Sequence, residues 1–180
     1  MHARRMTLLT LLMAWALAVF PAPALANHMA AELVPEGPAA PGKPVTLAIH
    51  FTPAPGWHGY WSNPGDAGYG MELTWHLPAG WKAGEPQYPV PRELSIAGLM
   101  NHVYEAEYAV LVPVTTPAGV AGPTPVALDA SWLVCTREVC VPEKATLAAG
   151  GPASGASDPR FDKWRAAIPA LVDHRAGFDL

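Results

Sequence analysis

Residues 126–144 read VALDASWLVCTREVCVPEK. Val126, Leu128, Ala130, Trp132 and Val134 fall on one parity and Ala127, Asp129 and Ser131 on the other. That two-residue period belongs to a strand with one buried and one wet face. The alternation runs into Cys135, and Cys140 follows after Thr136 to Val139. A strand ending at Cys135 and another starting at Cys140 form a hairpin whose mouth sets the two sulfurs opposite each other. Directly opposed residues stand about 4.5–5.5 Å apart at Cβ, close to the spacing of a disulfide. Parity groups Cys135 with Asp129 and Ser131, the wetter side, so the pair is expected to be accessible.

Working outward, Val45, Leu47, Ile49 and Phe51 alternate with Thr46, Ala48 and His50, and Met71, Leu73, Trp75 and Leu77 with Glu72, Thr74 and His76. A further run has Tyr104, Tyr108, Val110, Val112 and Val114 on one parity and Glu105 and Glu107 on the other. Between the runs lie PAPG, NPGDAG, LPAG and PAGVAG, where proline fixes φ and glycine accepts conformations that other residues avoid. Short alternating strands divided by such turns predict an all-β antiparallel β-sandwich over residues 27–149. Residues 150–157, GGPASGAS, offer no side chain worth burying and are expected to be a linker. Asp158 then suits a helix cap and Pro159 its first turn, with Phe161, Trp164 and Ile168 on one face and Pro169 as a stop. Residues 158–180 are expected to be a short helical tail docked on the sandwich or the start of a further domain.

At the other end, His2, Arg4 and Arg5 precede an apolar stretch from Met6 to Phe20, followed by Pro21 and Pro23 and closed by Ala24, Leu25 and Ala26. The stretch is too short for a membrane span, which needs about 20 apolar residues, and residues 1–26 have the form of a secretory signal peptide. Cleavage would leave about 150 residues, enough to fold on one core without a metal or a staple. The formal charge of −4 becomes more negative once Arg4 and Arg5 are removed, which disfavours nucleic acid as a partner. The chain is expected to be soluble after cleavage and to reside in the periplasm. In that oxidising compartment the two cysteines, the only ones in the chain, are expected to be joined.

A disulfide closing so short a loop restricts the unfolded chain little, by about 2 kcal/mol. It is a weak staple but a reachable target for another thiolate. The residues by themselves leave thiol exchange, a structural staple and, with least support, a metal site open.

Five ordered segments carry a resemblance: WHGYWSNPGDAG (57–68), LTWHLPAGW (73–81), YPVP (88–91), VYEAEYAVLVPV (103–114) and WLVCTREVCVPE (132–143). The chain resembles the amino-terminal periplasmic domain of the DsbD thiol:disulfide interchange family, in its ScsB-like branch linked to copper tolerance. The resemblance implies an immunoglobulin-like domain that takes electrons from a membrane-embedded donor through a thioredoxin-like periplasmic domain. It would pass them to periplasmic thiol proteins, such as disulfide isomerase-like or cytochrome c maturation proteins. By resemblance Cys135 and Cys140 match the exchanging pair, and Tyr104 and Glu105 fall where a cap over it is expected. Four residues separate these cysteines, as in the ScsB-like branch, where the best-known branch has five. An eight-helix membrane portion and a carboxy-terminal CxxC domain do not occur in the 180 residues, so the donor is expected on separately encoded partners if the chain is an isolated product, and on the same chain if it is part of a longer protein.

Tyr60 and Trp61 read first as packing anchors and, as the alternative, as a wall that shields the disulfide or meets a partner, while Trp75, Trp81 and Trp132 read as core anchors. His58 reads as loop packing. Arg137 and Lys144 favour a thiolate near the pair, and Glu138 and Glu143 oppose it. Met100 and His102 with Cys135 form a conceivable soft-ligand set for copper, but there is no HxH, HxxxH or methionine cluster, and no metal site is expected. Glu105 and Glu107, two apart, read as a wet strand face. No GxSxG elbow, phosphate loop or cofactor motif occurs, so no cofactor is expected. The alternative is a non-enzymatic sandwich binding carbohydrate, protein or copper, with a purely structural disulfide.

Overall fold

A computed structural model describes residues 27–40, 43–119, 121, 125–149 and 157–169. The expected signal peptide, all of the linker but Ser157, and the tail beyond Pro169 lie outside the described residues. Among the described residues ten strands and one helix follow in order: β1 (Met29–Pro35), β2 (Val45–Pro53), β3 (Gly59–Gly65), β4 (Glu72–His76), β5 (Lys82–Ala83), β6 (Arg92–Ile96), β7 (Leu99–Tyr104), β8 (Tyr108–Thr115), β9 (Val126–Cys135), β10 (Cys140–Ala149) and α1 (Arg160–Ala166).

The strands form three antiparallel sheets in the orders β1-β2-β8-β5, β10-β9-β4 and β3-β7-β6. The first two face each other as an all-β sandwich. The alternation of β2 sends Leu47, Ile49 and Phe51 into the core, where they meet Leu128, Trp132 and Val134 of β9. Ala48, on the opposite parity of β2, is also buried. The reason is α1, whose Phe161 and Trp164 cover Val34, Ala48, Ala109 and Leu111 on the outer face of the first sheet.

Around these aromatics Arg160 pairs with Glu32, Lys163 with Glu107 and Arg165 with Glu36. Burying an aromatic side chain contributes about 1.5–3 kcal/mol, whereas an exposed ion pair adds about 0–1 kcal/mol. The apolar face therefore holds the helix and the charges set its register. The helix begins one residue later than the sequence suggests, with Pro159 at the cap position and no side-chain cap. Asp158 still accepts the Arg160 N–H, at 2.9 Å.

Two further readings are corrected. The Pro/Gly-rich segment after Trp57 holds strand β3, which pairs with β7 along one edge and shifts register between Tyr60 and Gly65. Pro64 is tolerated there because an edge strand has no partner for the missing N–H. Tyr104 and Tyr108 belong to two strands, with Glu105 and Ala106 in the bend between them, so Glu105 and Glu107 are not neighbours on one strand face.

Candidate functional site

Strands β9 and β10 pair with Cys135 opposite Cys140, and the two are joined by a disulfide with a Cα–Cα distance of 4.1 Å. The connection is built by Thr136. Its N–H donates to the Val139 carbonyl at 2.8 Å, and its Oγ1 accepts the N–H groups of Glu138 and Val139, each at 3.1 Å. Because the Thr136 and Val139 pair carries the ladder bond, the cysteines form the non-hydrogen-bonded pair next to it, where opposed side chains come closest.

The backbone of Cys135 is instead spent on the other side. Its N–H donates to the His58 carbonyl at 3.0 Å, and the His58 N–H donates to the Cys135 carbonyl at 2.8 Å. This bridge lays the β3-β7-β6 sheet over the end of β9, where Tyr60, Leu94 and Val103 pack against Cys135. The two sulfur-bearing residues are consequently unequal: Cys135 is 1% exposed and Cys140 is exposed. The expected accessibility of Cys135 is thus overturned. Parity places it on the wet side of β9, but the third sheet covers that side at Leu133 and Cys135, leaving only Cys140 open.

A cleft of about 180 Å³ opens beside Cys140, lined among others by Tyr60, Ile96, Ala97, Leu99, Asn101 and Val139. Its lip is the two-residue turn between β6 and β7, with positive φ at Ala97 (52°) and Gly98 (86°). Both central residues of a mirror-type hairpin turn need that conformation. Asn101 ties the hairpin from within, its Nδ2 donating to the carbonyls of Leu94 (3.3 Å) and Leu99 (3.1 Å). Arg137 reaches the same hairpin from the cysteine loop, at 3.5 Å from the Ser95 carbonyl. Leu99 and Val139 stand at the rim 47% and 50% exposed, an apolar margin around the one open sulfur.

The NPGDAG segment fixes this arrangement. Asp66 donates its N–H to the Met100 carbonyl at 2.7 Å and accepts the Met100 N–H on Oδ2 at 2.8 Å, pinning the start of β7. Gly68, at φ 97°, passes so close to Tyr60 that a Cβ there would lie 2.2 Å from its ring. The segment thus presses Tyr60 towards Cys135. Replacing Gly68 with alanine should cost about 1–3 kcal/mol through strain. It should also speed reduction of the disulfide by dithiothreitol. Unfolding in urea and a timed thiol assay check both effects, and unchanged values would show that this contact does not hold the cover.

Of the four residues expected to cap or shield the pair, Tyr60 lines the cleft and the other three do not. Trp61 is half-buried and stands edge-on to His102, with centroids 5.6 Å apart. Tyr104 is buried, stacks on Tyr108 at 4.0 Å and donates its hydroxyl to the Pro89 carbonyl at 2.8 Å. Burial pushes its phenol well above the ordinary tyrosine range. Glu105 is exposed and faces Arg92 at 3.9 Å. Ile96, Ala97, Leu99 and Asn101 went unread in the sequence. The Ala97-Gly98 dipeptide between apolar residues was their one signal, and alanine in place of the usual asparagine or aspartate hides it.

His58 is 2% exposed and packs edge-on against Tyr60 at 5.4 Å. Burial lowers its pKa, with Arg137 acting in the same direction and Glu105 opposing it. Met100 and His102 are two residues apart on β7, and the His102 ring nitrogen Nδ1 lies 2.9 Å from the Asn63 carbonyl. The Cys135 sulfur, engaged in the disulfide, is not free to join them.

The family model described as thiol:disulfide interchange protein DsbD, N-terminal, matches residues 30–151. The chain belongs to this family. Among curated proteins none matches. The N-terminal periplasmic domain of ScsB from Proteus mirabilis is similar in structure, with a TM-score of 0.58 and 18% identity, covering 80% of this chain. The chain spans 56% of that structure, and the likeness establishes a shared fold. The N-terminal domain of DsbD from Neisseria meningitidis in the reduced form aligns with a TM-score of 0.43 and 19% identity over 70% of this chain and 87% of its own. A complex between the DsbD and PilB N-terminal domains of Neisseria meningitidis aligns at 0.39 and 21% identity over 71% and 88%. The chain is an immunoglobulin-like antiparallel sandwich from a thiol:disulfide interchange family, with its cysteine pair as a disulfide. Among the described residues no helix is long and apolar enough to cross a membrane.

Proposed function

We propose that the domain is exported to the periplasm and relays reducing equivalents through Cys135 and Cys140. A thioredoxin-like domain, itself reduced by a membrane-embedded donor, supplies the electrons. Periplasmic thiol proteins of the disulfide isomerase or cytochrome c maturation kind receive them. The observation that carries this reading is the inequality of the two cysteines, one open at the rim of a cleft and the other closed beneath a sheet.

Exchange requires a thiolate to approach one sulfur in line with the S–S bond. Cys140 offers that approach. A donor thiolate attacks its Sγ, a mixed disulfide forms, and Cys135 leaves as a thiolate that takes up a proton. The donor's second thiolate then attacks the donor sulfur of the mixed disulfide and frees Cys140. In the reverse role, the Cys140 thiolate attacks a client disulfide, and Cys135 attacks Cys140 to expel the client in its reduced form. The exposed Leu99 and Val139 give a partner an apolar margin on which to seat its own reactive sulfur.

The oxidised domain, incubated with a reduced CxxC protein, should lose its disulfide while its far-ultraviolet circular dichroism stays that of a β protein. Resistance to every CxxC donor, or reduction accompanied by unfolding, would favour a structural staple.

A further inference from the structure

His58 is a buried imidazole for which the exchange scheme so far has no task, and its Nε2 has no hydrogen-bond partner among the described residues. It is the direct cross-strand neighbour of Cys135. The two residues exchange both backbone hydrogen bonds, which makes them a hydrogen-bonded antiparallel pair. Such residues have Cα atoms about 5.5 Å apart and side chains on the same face. Tyr60 shares that face, standing edge-on to the His58 ring and belonging to one buried cluster with Cys135. His58, with its unpaired ring nitrogen, and Cys135 are thus buried cross-strand neighbours. An orphaned buried polar atom is costly, and a partner gained in a second state of the protein is one reason for keeping it.

Reduction creates that second state. In the disulfide the Cys135 sulfur has no proton to give, whereas as a thiol it is a donor. Burial also holds a thiol in its unreactive protonated form. We propose that His58 is the proton acceptor for Cys135 in the step that closes the disulfide, an inference that rests on the exchange reading above. With a client joined to Cys140, the Cys135 S–H gives its proton to His58 Nε2. The Cys135 thiolate attacks Cys140 Sγ, the Cys135–Cys140 bond forms, and the bond from Cys140 to the client sulfur breaks. The client leaves as a thiolate carrying the electron pair and is protonated by water. The imidazolium then returns its proton to solvent. Two thiols of the domain are oxidised and one client disulfide is reduced.

The groups acting on the imidazole agree with this role. Burial and Arg137, from the cysteine loop, keep it neutral and able to accept a proton, and Glu105, from the bend after β7, steadies it once charged.

The test uses reduced protein mixed with excess oxidised glutathione, quenched with acid at intervals and weighed by mass spectrometry. In the unaltered protein the glutathione adduct on Cys140 should be short-lived. In His58→Gln it should resolve about 100-fold more slowly, at the low end of what a positioned proton acceptor contributes. Its resolution should also climb with pH as solvent takes over deprotonation. An unchanged lifetime and pH profile would overturn the inference. A second readout needs no substitution: the imidazole nitrogen resonance of His58 should move on reduction of the unaltered protein, and identical resonances in both redox states would overturn it equally. If the unaltered protein forms no adduct at all, the exchange reading itself falls, and the inference with it.

Discussion

Alkylation of the reduced, folded domain by iodoacetamide should reach Cys140 about 100-fold faster than Cys135, a ratio that corresponds to a local opening of about 3 kcal/mol. Cys140 stands exposed at the start of β10. Cys135 is locked to His58 by two backbone bonds and covered by Tyr60, Leu94 and Val103, so its sulfur reacts only when the third sheet lifts. Peptide mass spectrometry at timed intervals gives the ratio. Equal rates would show that the cover opens freely and that the burial of Cys135 imposes no order on the chemistry.

Phe51→Ala should destabilise the domain by about 3–5 kcal/mol, the usual cost of removing a fully buried aromatic ring. Phe51 is wholly buried at the end of β2, stacks on Tyr108 at 5.1 Å and stands edge-on to Trp132 at 5.2 Å. Its loss opens a cavity between the two sheets against Trp132, which stands three residues before the cysteine that ends β9. Reducing the disulfide should cost only about 2 kcal/mol, on the loop-entropy estimate. The comparison decides which holds the fold together: the sandwich core does, and the disulfide is left free to cycle. Urea unfolding of the variant and of the reduced protein measures both. A Phe51→Ala cost smaller than the cost of reduction would reverse that ranking.

The parts of the fold that follow from strict alternation were legible. β2, β4, β8 and β9 alternate over their cores, and the hairpin from Cys135 to Cys140 follows from where the alternation stops and the two cysteines stand. β3 was not, because Pro64 and Gly65 look like a turn until one knows that the strand lies at a sheet edge and carries a bulge. The short β6 and β7 escaped for a different reason. Their faces are mixed, Leu94 and Asn101 being buried and Leu99 and Met100 exposed, so no two-residue period survives.

The site was half legible on the same grounds. A parity rule reports which side of a strand faces its own sandwich partner, and it cannot report that another sheet will fold over the far side. Cys135 and Leu133 are where that happens. Tyr60 stood in the sequence as an aromatic with packing and shielding both open, and its place beside Cys135 follows from the His58–Cys135 bridge, which joins segments far apart in the chain. Tyr104 instead points towards Tyr108 and Pro89, a direction set by the bend at Glu105 rather than by its neighbours in sequence.

The central claim is that Cys140 is the sulfur that meets partners while Cys135 resolves, and single-cysteine variants in the native periplasm test it most directly. Cys135→Ser leaves the open sulfur with no resolving neighbour and should accumulate a covalent complex with a thioredoxin-like protein, seen by non-reducing separation and identified by mass spectrometry. Cys140→Ser leaves only the covered sulfur and should accumulate little or none. Equal trapping by both variants, or trapping by Cys140→Ser alone, would contradict the assigned order. The absence of any complex from either would contradict the exchange function itself.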